Sequence, residues 1–198
     1  MTATRGRPRS FDRASALDSA IRLFWQRGYE ATSIRDLTEE LGIAAPSLYN
    51  AFGDKQHLFA EALRSYDATY GGFIEAALTE EPTATLAVAR IFAEAPTRYT
   101  RPDLPRGCLV VSGDTGSPDP VVQEASRLIR QNKTALLATK IADEISTGGI
   151  PTDTDAAALA QFVLSVLSGL EQHARDGAPR SRLAKVTTIA LRAWPTAA

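Results

Sequence analysis

Few residues in this 198-residue sequence could form a reactive centre: the thiol of Cys108, the imidazoles of His57 and His173, and the tripeptide Asp114–Thr115–Gly116. The tripeptide is of the kind that serves acid proteolysis. That chemistry needs two carboxylates sharing a proton, and the motif occurs once, so a plain turn is expected. Neither histidine has a serine, a cysteine or a carboxylate pair near it in sequence, which leaves solvated or core-edge positions as the ordinary reading. Gly107, Gly113 and Gly116 lack the Lys-Ser/Thr ending of a phosphate loop and a preceding strand. One thiol cannot close an internal disulfide, and one thiol with two imidazoles is too small a set for an all-Cys/His zinc site. No cofactor, no metal and no enzyme activity is expected. A small helical enzyme built on an unrecognised constellation is the alternative.

What remains is the chemistry of binding. The chain carries 22 basic and 23 acidic side chains, a net charge of −1. Residues 1–70 hold nine of each sign, and 71–198 hold thirteen bases against fourteen acids, so any polyanion surface must be local. Arg5–Gly6–Arg7–Pro8–Arg9 is such a local feature. An extended arginine-rich strand suits a narrow minor groove, where the negative potential is strongest. A basic tail that adds only non-specific affinity is the other reading. No apolar run follows these arginines before Phe11, so a secretory signal is not expected. The longest apolar stretch, Leu159 to Leu170, is interrupted by Gln161, Ser165, Ser168 and Gly169 and falls short of the roughly 20 residues of a membrane span. A cytoplasmic protein without a membrane segment is expected.

The elements that must position these groups read as helices. Leu17, Ala20, Ile21 and Phe24 recur at three-four spacing, predicting a helix over 11–27 that stops at Gly28. Ser33 with Asp36 resembles a capping pair for a short helix carrying Ile34, Leu37 and Leu41, ended by Gly42. A third segment, 45–52, starts with Pro46, tolerated in a first turn. A long helix over 55–78 follows, weakened at Gly71–Gly72, then a shorter one around Leu86–Ala93. Further helices span 120–146, 154–175 and 181–194. Strand-like alternation reaches no further than Cys108–Val111. The fold class is all-α with about nine helices, in three parts: a basic arm (1–10), a unit of short helices (11–56) and a longer helical remainder (57–198).

Two short helices joined by a glycine-containing turn make a helix-turn-helix, whose second helix can enter a major groove. On a helical wheel for 45–52, Leu48 and Phe52 point towards the first two helices, while Pro46, Ser47 and Asn50 point away, with Tyr49 on the flank. The string Phe24–Trp25–Gln26–Arg27–Gly28–Tyr29, Ala31–Thr32–Ser33–Ile34–Arg35–Asp36–Leu37, Gly42–Ile43, Ser47–Leu48–Tyr49, Phe52–Gly53–Asp54–Lys55 and Leu58–Phe59 resembles the tetracycline-repressor (TetR) family of bacterial transcription regulators. Two positions depart from it: Ala44 stands where a Ser or Thr cap is common, and Ala51 where His is common. The resemblance implies a DNA-binding domain over 11–56, a helical ligand-binding and dimerisation domain over 57–198, and a homodimer on a pseudo-palindromic double-stranded operator, with repression relieved by a small molecule. It assigns Thr32, Ser33, Tyr49 and Lys55 to phosphates, and Arg35, Ala45, Pro46, Ser47 and Asn50 to the base-facing surface. Independently, a lysine in the first turn of a helix opposes the helix dipole, which places Lys55 poorly for stability and well for an anion.

The second half carries no comparable code. Phe73, Phe92, Tyr99, Leu109 and Phe162 are candidates to line an apolar, partly aromatic effector cavity, with ordinary core packing as the alternative for each. Arg106–Gly107–Cys108–Leu109 resembles a string near the pocket of some family members, including thiol-reactive ones. Cys108 is therefore a candidate sensor or a small buried hydrophobe. The stripe of Leu159, Val163, Val166 and Leu170, with Leu183, Val186 and Trp194, is wider than one neighbouring helix needs, predicting a four-helix dimer interface. A helical protein-binding adaptor is the remaining alternative.

Overall fold

The computed structural model describes residues 12–196, and among these every regular element is a helix. There are ten: α1 (Arg13–Arg27), α2 (Ile34–Leu41), α3 (Ala45–Phe52), α4 (Lys55–Thr69), α5 (Phe73–Glu80), α6 (Ala84–Arg98), α7 (Leu109–Ser112), α8 (Pro120–Ser146), α9 (Ala156–Arg175) and α10 (Arg180–Arg192). The arm with Arg5, Arg7 and Arg9 lies outside the described residues.

Three expectations change. The helix predicted over 55–78 is two helices, because the chain breaks at Gly71–Gly72 between α4 and α5. Two consecutive residues of low helix propensity supply the break. The helix expected around Leu86–Ala93 runs on to Arg98, with Pro96 buried in its final turn, where the ring's missing N–H leaves the Phe92 carbonyl without its helical donor. The Cys108–Val111 alternation is the start of the single-turn α7, not a strand.

Two apolar cores organise the chain. In the first, Phe24, Trp25, Leu37, Leu48 and Phe52 pack with Leu58, Phe59, Leu63 and Tyr66 of α4, and with Leu109, Val110 and Val122. Edge-on ring contacts tie α1 to α4: Phe24 to Phe59 at 5.1 Å and Trp25 to Tyr66 at 4.8 Å. In the second, Phe73, Ile91, Phe92, Leu137, Ile141, Val163, Leu170, Leu183 and Trp194 join α5, α6, α9, α10 and the far half of α8. At 27 residues, α8 is about 40 Å long and contributes to both cores. The first core does not stop at residue 56. It continues through α4, α7 and the first turns of α8.

Hydrogen bonds hold the 113–119 segment to the α1–α2 connection and the start of α4. The Tyr29 N–H donates to the Gly113 carbonyl at 2.8 Å, the Ser117 hydroxyl to Glu30 at 2.5 Å, and the Gln56 amide to Asp119. On the other side of that segment, Arg130 of α8 holds the Val110 carbonyl at 2.7 Å and the Asp114 carboxylate at 3.1 Å.

Candidate nucleic-acid interface

The turn between α2 and α3 is built locally. The Ser33 hydroxyl accepts from the Asp36 N–H, and the Asp36 carboxylate accepts from the Ser33 N–H, a complete capping box that fixes the start of α2. Arg27 steadies Asp36 at 2.9 Å. Gly42 closes α2 at φ 65°, a left-handed conformation natural to glycine. Helix α3 begins at Ala44 with no side-chain cap, as its sequence implies, and Pro46 lies in its first turn.

Leu48 and Phe52 anchor α3 in the first core, and the opposite face is wet. Pro46, Ser47 and Asn50 are exposed, Ala45 is half-buried, and Tyr49 is 48% exposed. A shallow groove runs beside this face between Arg13, Ser47, Asn50 and Ala51. Arg13 fixes its floor: the guanidinium makes a two-pronged pair with Glu61, donates to the Ala51 carbonyl at 3.2 Å and lies 4.7 Å from the Phe52 ring centre. Arg35 projects from α2 and pairs with Glu39 at 2.8 Å; both are exposed, so a phosphate or base edge can replace that carboxylate at small cost.

Lys55 stands at the first position of α4 with its ammonium 4.0 Å from the Tyr29 ring centre. The ring face compensates the unfavourable dipole position. Burial lowers the pKa of this lysine below its ordinary value, while Glu30 and Asp36 pull the other way. An incoming phosphate would restore the lost solvation.

Thr32 is a correction. It is fully buried, and its hydroxyl donates to the Gly28 carbonyl at 2.7 Å. The side chain closes the turn after α1 and is not available to a phosphate. Ser33 is exposed but already committed to its cap.

A cavity of about 710 Å3 opens between α4, α5, α8 and α9. Phe73, Tyr99 and Cys108 are on its wall. Phe92 and Leu109 are fully buried in the second and first cores, and Phe162 points outward at 36% exposure; none of the three lines the cavity. The reading missed the polar part of the wall: Asp67, Arg130 and Lys133. A signal for Lys133 existed, since Ser126, Lys133, Leu137 and Ile141 share the buried face of α8, and a lysine on an apolar stripe is unusual. Burial pushes the Cys108 thiol up, an effect that the neighbouring Tyr66 hydroxyl partly offsets. Behind it, the buried Glu171 carboxylate accepts from the Cys108 N–H at 3.2 Å, and its own pKa is raised by burial.

The interface stripe also needs correction. Val163, Leu170, Leu183 and Trp194 lie in the protomer's own core and offer no surface to a second copy. Of the stripe, Leu159 and Val166 are half-buried and Val186 is 40% exposed, alongside Phe162 and Ile189, the latter 65% exposed.

A helix-turn-helix with an exposed polar reading face, sharing a core with a helical unit that holds a cavity, defines a DNA-binding regulator. The chain matches "Bacterial regulatory proteins, tetR family" over residues 16–62 and "Tetracyclin repressor-like, C-terminal domain" over residues 84–189. It belongs to the tetR family of transcriptional regulators. It is 38% identical over 197 residues to the HTH-type transcriptional repressor ComR of Escherichia coli K12, across 97% of this chain and 93% of that one. With the repressor BdcR of the same organism it shares 31% over 185 residues, 93% and 90% of the two chains. Among solved structures, a cysteine-substituted TetR family regulator, CifR, complexed with 26-base-pair operator DNA is 42% identical with a TM-score of 0.88, covering 96% of this chain and all of that one. Both ComR and BdcR are repressors, a non-enzymatic role. Among the described residues no helix is long and apolar enough to cross a membrane.

Proposed function

We propose that the chain is a homodimeric repressor that binds a pseudo-palindromic operator in the cytoplasm and releases it when a small molecule fills the 710 Å3 cavity. The observation that carries this reading is the outward face of α3. Ser47, Tyr49 and Asn50 are presented to solvent by a helix whose opposite face is locked into a core shared with α4 and α7. Tyr49 and Lys55 hold phosphates, with Ser33 at the α2 N-terminus. Arg35, Ala45, Pro46, Ser47 and Asn50 face the bases, and the arm at 1–10 enters the minor groove. The boundaries of the DNA-binding unit (11–56) and the ligand and dimer domain (57–198) describe roles, joined through one core.

Dimerisation uses the outer face of α9 and α10, where Phe162, Val186 and Ile189 are exposed and Leu159 and Val166 are half-buried. Two copies place two α3 helices on successive major grooves. The test is a genome-wide binding experiment followed by footprinting. A symmetric enriched motif supports the reading, and Asn50→Ala should then change preference at one base pair by about 1–3 kcal/mol while Tyr49→Ala weakens all sequences alike. No enriched symmetric motif would end it.

The position of Cys108 on the cavity wall favours a second reading, in which the thiol itself senses an electrophile. A half-buried thiol whose pKa is raised holds little thiolate at neutral pH, which weighs against it.

A further inference from the structure

One wall of the cavity carries a buried ion pair whose ammonium has more donors than acceptors near it. Lys133 of α8 is 5% exposed, and its ammonium lies 2.5 Å from Asp67 Oδ1 of α4. That contact is an ion pair, and no hydrogen bond to the Asp67 oxygen is found among the described residues. The only directed bond of the ammonium among the described residues is a long one, 3.4 Å, to the Gly71 carbonyl at the α4–α5 break. An ammonium has three donors, so this one keeps capacity for an acceptor inside the cavity.

Charge balance narrows what that acceptor can be. Each basic group on the wall already has a carboxylate: Arg127 has Glu124 at 2.6 Å, Arg130 has Asp114 at 3.1 Å, and Lys133 has Asp67. A carboxylate ligand would leave an uncompensated negative charge beside Asp67, and an amine an uncompensated positive one beside Lys133. Both are costly beside the Lys133–Asp67 pair, whose side chains are only 7% and 17% exposed. A neutral oxygen acceptor adds a bond without adding charge. The rest of the wall, including Phe73, Ile74, Val111 and Leu164, suits an apolar body.

We infer that the effector is a neutral, largely apolar molecule with an oxygen acceptor, a carbonyl or ether, that bonds to Lys133, and that this bond is how occupancy reaches α4. This rests on the ligand-released repressor reading above. Asp67 lies in the last turn of α4 and Gly71 at the break after it, so drawing the ammonium towards the ligand loosens both contacts on the helix that leads to the DNA-binding helices.

The probes are 2-octanone, octanoate and octylammonium, titrated calorimetrically against the full chain at pH 7, with operator binding followed in parallel by fluorescence anisotropy. The ketone should bind at least tenfold more tightly than either ion. In Asp67→Asn/Lys133→Met, which preserves charge balance, the ketone should lose at least tenfold in affinity. Octanoate or octylammonium binding as tightly as the ketone, or no binding of any probe at millimolar concentration, overturns the inference. Both outcomes are read on the native sequence, whether or not the double variant folds. A ketone advantage that survives in the folded double variant overturns it too. Ketone binding with the expected preference but unchanged operator affinity upholds the polar anchor and refutes the release reading instead. Ketone-driven release that persists undiminished in the double variant refutes the coupling through Lys133.

Discussion

Replacing Thr32 by valine separates a turn-closing residue from a DNA contact. The two side chains have nearly the same shape, so the change creates no cavity and removes one hydroxyl. In the structure that hydroxyl donates to the Gly28 carbonyl at 2.7 Å from a fully buried position, and no other donor to that carbonyl is present among the described residues. Deleting the donor leaves the acceptor without a partner, which costs about 1–3 kcal/mol. For a chain of this size each kcal/mol lowers Tm by about 2–4 °C, so a fall of roughly 2–12 °C is expected. Circular dichroism against temperature reads the loss. Anisotropy titration of the operator, well below Tm and corrected for active fraction, should give an unchanged Kd. Tyr49→Ala should give the reverse, since Tyr49 is 48% exposed and its removal leaves no buried vacancy. An unaltered Tm for Thr32→Val together with a weakened Kd would refute the reasoning, because the hydroxyl would then have to leave Gly28 and reach the phosphate.

Deleting residues 1–9 should lower operator affinity, flatten the slope of log K against log salt by up to about 3, and remove a preference for A·T flanks. Residues 12–56 hold seven acids against five bases, so the arm supplies the net positive charge of the DNA-binding region; equal loss on A·T and G·C flanks would favour a non-specific tail. Ile189→Glu should give folded monomers with weakened operator binding by analytical ultracentrifugation and anisotropy, whereas Leu183→Glu, 1% exposed, should unfold the protein. A dimeric Ile189→Glu would place the interface elsewhere. Cys108 should alkylate with iodoacetamide more slowly at pH 7.5 than a free cysteine and accelerate as pH climbs past the ordinary thiol range, because burial raises its pKa and less thiolate is present. Cys108→Ser should still release operator to a non-reactive ligand; failure there would make the thiol the switch.

The helix-turn-helix was legible because short-range rules govern it. Ser33 and Asp36 form their capping box within one turn, Gly42 supplies the left-handed residue between the helices, and Leu48 with Phe52 set the buried side of α3. The cavity and the interface were not legible, since both depend on which face of a helix another helix covers. Leu170 and Ile189 are both large aliphatic residues; α10 and α6 decide that one is core, while the other is left at the surface. Thr32 fits a phosphate contact by type and spacing, and only the turn after α1 shows that its hydroxyl is spent on Gly28. Lys133 is the opposite case, a visible irregularity in an apolar stripe whose partner, Asp67, is 66 residues away.

The core that runs from α1 through α4 and α7 into α8 sets where this molecule can be divided. A chimaera that joined its first 56 residues to a foreign sensor would leave Phe24 and Tyr29 without Phe59, and Trp25 without Tyr66. The Tyr29 N–H would lose the Gly113 carbonyl as well. A transplantable reading head must therefore carry α4, and its new host must offer a segment equivalent to 109–122 to lie against it. Specificity can be changed on α3 by a few exposed side chains, but the sensor cannot be exchanged without rebuilding the floor on which α3 stands.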